Sequence, residues 1–449
     1  MKKIMIVLLC MSALILSRSL ARADGPADCT NIPTDKGKVS GTLKQKAGVC
    51  AYKGIPYAKP PVGELRFKAP VEPVAWSETL NAKKYGGECP QYPMGLKPSG
   101  TPVGNEDCLY LNVWHPVESA SERLPVMVFV HGGGFVMGSG SQEWYEGTNL
   151  ASRGKVVVVT LNYRLGPFGF MVHPALKDEK GRSGNYGMLD QVAALKWVKK
   201  NIAAFGGDPD NITIFGQSAG GASIGLLVVS PMTKGLYNKA IVQSGPVIMM
   251  NRTIKSEAPT GLKAAEMLGC KDIATAAACL RKIDALEFIK IVKPVIGLLS
   301  DTEIVSGFPF QPVIDGYFYP EAADKLFAAG KYDVKAPILL GGTKDEATIF
   351  IAGRKIETEE SFLSNLKSDA ESIEKTYGVP IDVNMISSLY PVSAYPSPKI
   401  AYTDVITDLA FTCPNKILAD IISKSGGTPY VYYFTKGLDE KGPLKDWGA

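Results

Sequence analysis

Ser218 lies in the string Gly216-Gln217-Ser218-Ala219-Gly220, a spacing that suits a nucleophilic serine. Its hydroxyl oxygen must stand clear of the main chain on a tight turn, and glycines two positions to either side let neighbouring backbone come close. A helix opening directly after the turn aims free N–H groups at the reacting centre and favours negative charge there. The apolar run Ile212 to Phe215 before the string reads as a strand, and Gly221 to Val229 after it can be helix. His131-Gly132-Gly133-Gly134-Phe135 follows a second apolar run, Val126 to Val130. Successive glycines present backbone N–H groups without side chains, so two of them can donate to an oxyanion alongside the N–H of Ala219. The chemistry implied is acyl transfer, with attack on a carbonyl and a stabilised tetrahedral anion. A phosphate loop would need G-x-x-x-x-G-K-[ST], or G-x-G-x-x-G opening a helix, and the triplet offers neither.

An acid and then a histidine should follow the serine along the chain. Gly341 to Glu346 comes after the apolar run Ile338 to Leu340, so Asp345 and Glu346 both stand where a loop at a strand's carboxyl end would put a carboxylate. Chemistry alone does not choose between them. The only histidines are His115, His131 and His173, and all precede Ser218. The first and last each stand before a proline, as loop residues do, and His131 belongs to the glycine loop. The expectation is that the 449 residues stop short of the required imidazole and are inactive as they stand. Ser364-Asn365-Leu366-Lys367 matches S-x-x-K, but it lies in a polar, helix-like stretch without a glycine elbow and reads as a solvated face.

The elements that must position these groups alternate between strand and helix. Val126 to Val130, Val156 to Thr160, Ile212 to Phe215, Ala240 to Gln243, Ile338 to Leu340 and Tyr430 to Phe434 are continuous apolar runs, as strands covered on both faces require. Met188 to Ala203 has apolar residues at helical spacing, with Lys196, Lys199 and Lys200 facing water. A mostly parallel sheet flanked by helices follows. The segments from about 250 to 335 and 350 to 425 read as helical insertions capping the sheet near the carboxyl ends of its strands.

Composition narrows the class. With 45% hydrophobic and 21% charged residues, no repeat and no linker-like stretch, the chain reads as one large globular unit. Lys2 and Lys3, the apolar run Ile4 to Leu16, and Ala21-Arg22-Ala23 form a signal peptide over residues 1–23, too short a run to cross a bilayer. The expectation is a secreted or periplasmic protein spanning residues 24–449, without a membrane anchor. Removal of the leader takes away four basic side chains and lowers the formal charge from +5 to +1, which leaves no field for nucleic acid. In an oxidising compartment the sequence-near cysteines suggest the bridges Cys29–Cys50, Cys89–Cys108 and Cys270–Cys279, with Cys413 left over. The spacings of cysteine and histidine do not suit a metal, so neither metal nor cofactor is expected.

Taken with the serine elbow and the glycine triplet, three further motifs occur in order: Glu106-Asp107-Cys108-Leu109-Tyr110-Leu111-Asn112, Asn162-Tyr163-Arg164 and Pro312-Val313-Ile314-Asp315-Gly316. Together they closely resemble the type-B carboxylesterase and cholinesterase family, from about residue 30 to the end. The resemblance implies the α/β-hydrolase fold with helical cap insertions, and hydrolysis of small neutral esters through an acyl-enzyme. It implies Ser218 as nucleophile, Glu346 as the catalytic acid, and Gly133, Gly134 and Ala219 as oxyanion donors. It places Ser306 and Phe308 in the acyl pocket, where two of three positions are small and a chain longer than acetyl should fit. It also implies the bridges Cys89–Cys108 and Cys270–Cys279, a third bridge from Cys413 to a cysteine this chain lacks, and buried ion pairs Arg66 with Glu106 and Arg164 with Asp190. The pairing of Cys29 with Cys50 rests on their nearness in sequence alone. Ala347 stands where the family has glycine. A cholinesterase is disfavoured, because no tryptophan lies between Cys89 and Cys108 and Gln217 replaces a glutamate. The other alternative, a catalytically silent adhesion protein on the same fold, is disfavoured by the intact serine and its glycine loop.

Overall fold

The computed structural model describes residues 29–93, 100–117, 123–293, 309–377 and 380–436. The expected leader at 1–23, the expected pocket positions Ser306 and Phe308, and Trp447-Gly448-Ala449 lie outside the described residues.

A nine-stranded sheet forms the frame, from β3 (Thr42–Lys44), β4 (Val49–Pro56), β6 (Tyr110–Pro116), β7 (Leu124–Val130), β8 (Val157–Leu161), β9 (Gly207–Gln217), β10 (Lys239–Gln243), β11 (Ile338–Thr343) and β12 (Pro429–Phe434). Their spatial order is β12-β11-β10-β9-β7-β8-β6-β4-β3. The six strands from β12 to β8 run parallel, and β6, β4 and β3 continue one edge antiparallel. A small sheet of β1 (Ile32–Pro33), β2 (Lys38–Ser40) and β5 (Leu80–Asn81) lies apart. All of β8 is buried, the outcome that a run of valines without polar alternation requires. Helices α1 (Tyr186–Asn201) and α2 (Ala219–Val229) cover the sheet, and every residue of α2 is buried. This is the α/β-hydrolase architecture anticipated from the sequence.

Several strands run past their expected bounds: β7 begins at Leu124 where Val126 was expected, and β11 continues to Thr343 past Leu340. β9 begins five residues before Ile212, because the polar stretch Gly207 to Asn211 still pairs beside β7 after a shift in register. β6 is unanticipated, since Asn112, His115 and Pro116 break its apolar pattern, yet it is almost wholly buried. Asn112 is tolerated there because its amide donates to Thr160 Oγ1 at 3.0 Å and its carbonyl accepts from Gly54 N at 2.9 Å.

Helices α3 (Ala323–Ala328), α4 (Glu359–Tyr377), α5 (Pro398–Thr407) and α6 (Cys413–Lys424) belong to the later half of the chain, and a π-helical turn at Asp408–Thr412 joins the last two. Residues between Ala347 and Ile406 form a separate apolar cluster that includes Ile351, Phe362, Leu366 and Tyr402. Inside it Arg354 bridges both oxygens of Asp369 at 2.8 and 3.0 Å, and the Tyr402 hydroxyl, which accepts from Arg354, donates to the same carboxylate.

The disulfides Cys89–Cys108 and Cys270–Cys279 are formed, with Cα separations of 5.0 and 5.7 Å. Cys29–Cys50, the pair suggested by sequence nearness alone, is formed as well, with its Cα atoms 5.4 Å apart. It ties the segment before β1 to β4, so the amino-terminal edge is joined covalently to the main sheet. Cys413 is free and exposed. Both anticipated ion pairs are present. Arg66 Nε and Nη2 reach Glu106 at 2.7 and 2.5 Å, and Arg164 Nε and Nη2 reach Asp190 at 2.8 and 2.7 Å with side-chain exposures of 3% and 0%.

Candidate active site

Ser218 stands where β9 turns into α2, with φ 56° and ψ −124°, a conformation that costs a non-glycine residue on the order of 1–3 kcal/mol. The turn persists because its surroundings leave no alternative. A Cβ on Gly220 would come within 2.1 Å of Val130 O, and one on Gly216 within 2.6 Å of Gly220 itself. The two glycines of the motif are therefore demanded by contact between the elbow and the end of β7. The string occurs a second time, as Gly221-Ala222-Ser223-Ile224-Gly225. Ser223 is fully buried and bonded to Gln191 Nε2 at 3.1 Å, so context separates the two serines. Ser218 is partly exposed, and its hydroxyl has no hydrogen-bond partner among the described residues.

The glycine loop comes to the same place. A Cβ on Gly132 would stand 3.2 Å from Ser218 Cβ and 2.7 Å from Gln217 O, which puts the loop against the elbow. Gly133, Gly134 and Phe135 have φ of 110°, 61° and 64°. The N–H groups of Gly133, Gly134 and Ala219 donate to no group among the described residues. His131 holds the loop from behind: its Nδ1 lies 2.8 Å from Gly132 O, which only accepts, so this nitrogen bears the proton. Because the C=O and N–H of a trans peptide point oppositely, anchoring Gly132 O fixes the direction of Gly133 N–H. The Tyr163 ring stacks on His131 at 4.4 Å, and its hydroxyl donates to His131 O.

Glu346 and Asp345 are now distinguishable. Glu346 Oε1 accepts from Thr343 N at 2.7 Å and from Ser244 Oγ at 2.5 Å. Burial raises its pKa above the ordinary carboxylate value, and the hydrogen bonds from Ser244 and Thr343 pull part of it back. Burial also raises that of Asp345, with Lys344 opposing, but no hydrogen bond to the Asp345 carboxylate is present among the described residues. The residue that sequence reasoning missed is Ser244, at φ 52° just after β10. A lone serine at a strand end reads as a turn, and only the positive φ, invisible in sequence, marks it. Ser218 N donates to Gln243 O at 2.8 Å and Ser244 N donates to Gly341 O at 2.7 Å. The ladder of β9, β10 and β11 thus continues past the strands and fixes the serine and the carboxylate about two strand spacings apart, roughly 9.5 Å.

None of the three histidines lies between them. His115 is held in β6 by Pro116 O at 2.9 Å and stacks on Tyr52. His131 faces Tyr163, and burial pushes its pKa down to about 4. His173 accepts from Ala175 N at 3.1 Å, capping the short helix Pro174–Leu176. Among the described residues no group of three or more His, Cys, Asp or Glu could hold a metal ion, and no helix is long and apolar enough to cross a membrane.

Residues 28–445 match the profile described as "Carboxylesterase family". A para-nitrobenzyl esterase of Bacillus subtilis is 41% identical over 388 residues, 85% of this chain and 74% of the relative. Carboxylesterase 1E of Mus musculus is 34% identical over 467 residues, 95% of this chain and 80% of the relative. Among solved structures, a carboxylesterase of Geobacillus stearothermophilus superposes with a TM-score of 0.76 at 35% identity, covering 91% of this chain and 80% of the other.

Proposed function

From the premise that the chain belongs to the carboxylesterase family, we propose that it is built to hydrolyse small neutral carboxylic esters by acyl transfer to Ser218. The observation that carries this reading is the strained serine beside three backbone N–H groups without partners. Ser218 Oγ attacks the ester carbonyl carbon, and the oxyanion takes hydrogen bonds from Gly133, Gly134 and Ala219, worth roughly 3 kcal/mol per donor. Collapse expels the alcohol, and water releases the acid from the acyl-serine. A base must take the serine proton and return it to the leaving oxygen, with Glu346 orienting that base through the opposite ring nitrogen. Ser306 and Phe308 shape the acyl side, and Ser306→Phe is expected to shift chain-length preference toward acetyl esters, read as the ratio of kcat/KM for acetate and hexanoate esters of p-nitrophenol. An unchanged ratio removes Ser306 from the pocket. The three disulfides support export to an oxidising compartment.

Because none of the chain's three histidines is hydrogen-bonded to Ser218, the 449 residues alone are expected to turn esters over weakly, since losing the base in a comparable triad costs about 10⁶ in kcat. A reactive organophosphorus ester should still label Ser218, faster when imidazole is added, and mass spectrometry of the labelled peptide reads it. Equal labelling of Ser218→Ala would overturn the assignment.

A further inference from the structure

At the rim of the sheet opposite Ser218 lies a cavity of about 840 Å³. It opens where the carboxyl end of α2, the start of β10, α3 and the turn before β11 meet. Ser218 caps the far end of α2, whose 11 residues span roughly 16 Å at about 1.5 Å each, so the cavity is no part of the catalytic cleft. Its floor is apolar, formed by Val228, Val229, Tyr237 and Leu326. The polar atoms beside that floor are already satisfied by one another: Tyr237 Oη donates to Val228 O at 3.1 Å, and Tyr332 Oη pairs with Ser425 Oγ at 2.8 Å. A ligand reaching that floor meets mostly carbon.

The mouth differs. Lys234, Lys331 and Lys335 line it and are exposed, and none has an ion-pair partner among the described residues. The one acid at the mouth is Asp333, whose Oδ1 accepts from Lys335 N at 3.0 Å. Three cations against one anion leave the rim positive over an apolar interior, in a pocket whose volume suits a small molecule. We propose that this cavity binds a single-chain amphiphile with an anionic head, such as a fatty carboxylate, its chain on the Val228–Leu326 floor and its head among the three lysines. The lysines disfavour a cationic amphiphile, and the recessed apolar floor distinguishes the site from a flat patch that would lie on a membrane surface. The assignment does not depend on ester hydrolysis.

The test uses the full chain carrying Ser218→Ala, so that no acyl transfer occurs, and a dodecanoate bearing a photoreactive diazirine at its chain end. Cross-links are expected in the peptides containing Val228 to Tyr237 and Leu326 to Lys335. Affinity should fall about tenfold or more at low salt in the exposed triple variant Lys234→Glu, Lys331→Glu, Lys335→Glu, and dodecyltrimethylammonium should then bind better than it does to the parent. Cross-links confined to the glycine loop or the peptide of residue 218, or an affinity unchanged in the triple variant, would overturn the proposal. So would flotation with phosphatidylglycerol vesicles without saturable binding of free dodecanoate.

Discussion

Glu346 combines a cost with a use. Its carboxyl is raised by burial, so the folded state binds a proton more tightly than the unfolded chain does. A raised carboxyl pKa stabilises the fold at pH below the unfolded value, and that contribution is lost as pH rises through the folded one. Glu346→Gln, whose amide oxygen can still accept from Thr343 N and Ser244 Oγ, is therefore expected to melt higher than the parent at pH 8. The two should converge below about pH 4, where both sites are neutral. Thermal denaturation across that range checks it, and a parent that is the more stable at pH 8 would contradict the assignment of burial as the dominant influence. The same variant should lose most of any rate gained from added imidazole, a drop of about tenfold or more, whereas Asp345→Asn should keep it, because only Glu346 is held by the strand ladder. Ranking the two by imidazole-dependent hydrolysis of p-nitrophenyl butyrate decides between them. Residue chemistry alone left the two carboxylates tied and the family resemblance pointed to Glu346; the hydrogen bonds from Ser244 and Thr343 now give a geometric reason for that choice, and Ser244 is a partner that no pattern announces.

Elements are pinned to one another by arginines. Arg66 joins Glu106 and also donates to Leu280 O and Ile283 O at 2.8 and 2.7 Å, tying an early loop to the end of the helix Ile273–Lys282. Arg164 fixes the loop after β8 to α1, and Arg354 closes the separate cluster of the later insertion. Replacing Arg66, Arg164 or Arg354 by Met leaves a carboxylate buried without its partner and is expected to cost roughly 3–5 kcal/mol in urea denaturation. Removing the partner too, as in Arg66→Met with Glu106→Leu, should recover most of the loss. A double variant no better than the single one would show that the arginine's bonds to backbone carbonyls dominate. The first two pairs were foreseeable from motif resemblance, but Arg354 with Asp369 was not. Fifteen residues part them across a loop and a helix, and only the packing around Tyr402 brings them together. β6 escaped for a related reason: its polar residues are satisfied by neighbouring strands, and a pattern of side chains along one segment cannot record partners from another.

At the scale of the whole molecule, the central parallel strands were readable because strands covered on both faces are apolar throughout. The helical insertions were readable as helices capping the sheet, but not in their packing partners, since those depend on contacts far apart in the chain. The disulfides show the opposite limit. Cys29–Cys50, Cys89–Cys108 and Cys270–Cys279, separated by 21, 19 and 9 residues, each join cysteines that are neighbours in chain order from residue 29 onward. A polypeptide emerging amino end first thus meets each correct partner before any wrong one has appeared. Oxidation in order of arrival yields these three pairs, and Cys413, which follows them in the chain, finds the six earlier sulfurs already engaged. Formation of these three bridges should accordingly ask for an oxidant alone, with no catalyst to reshuffle them.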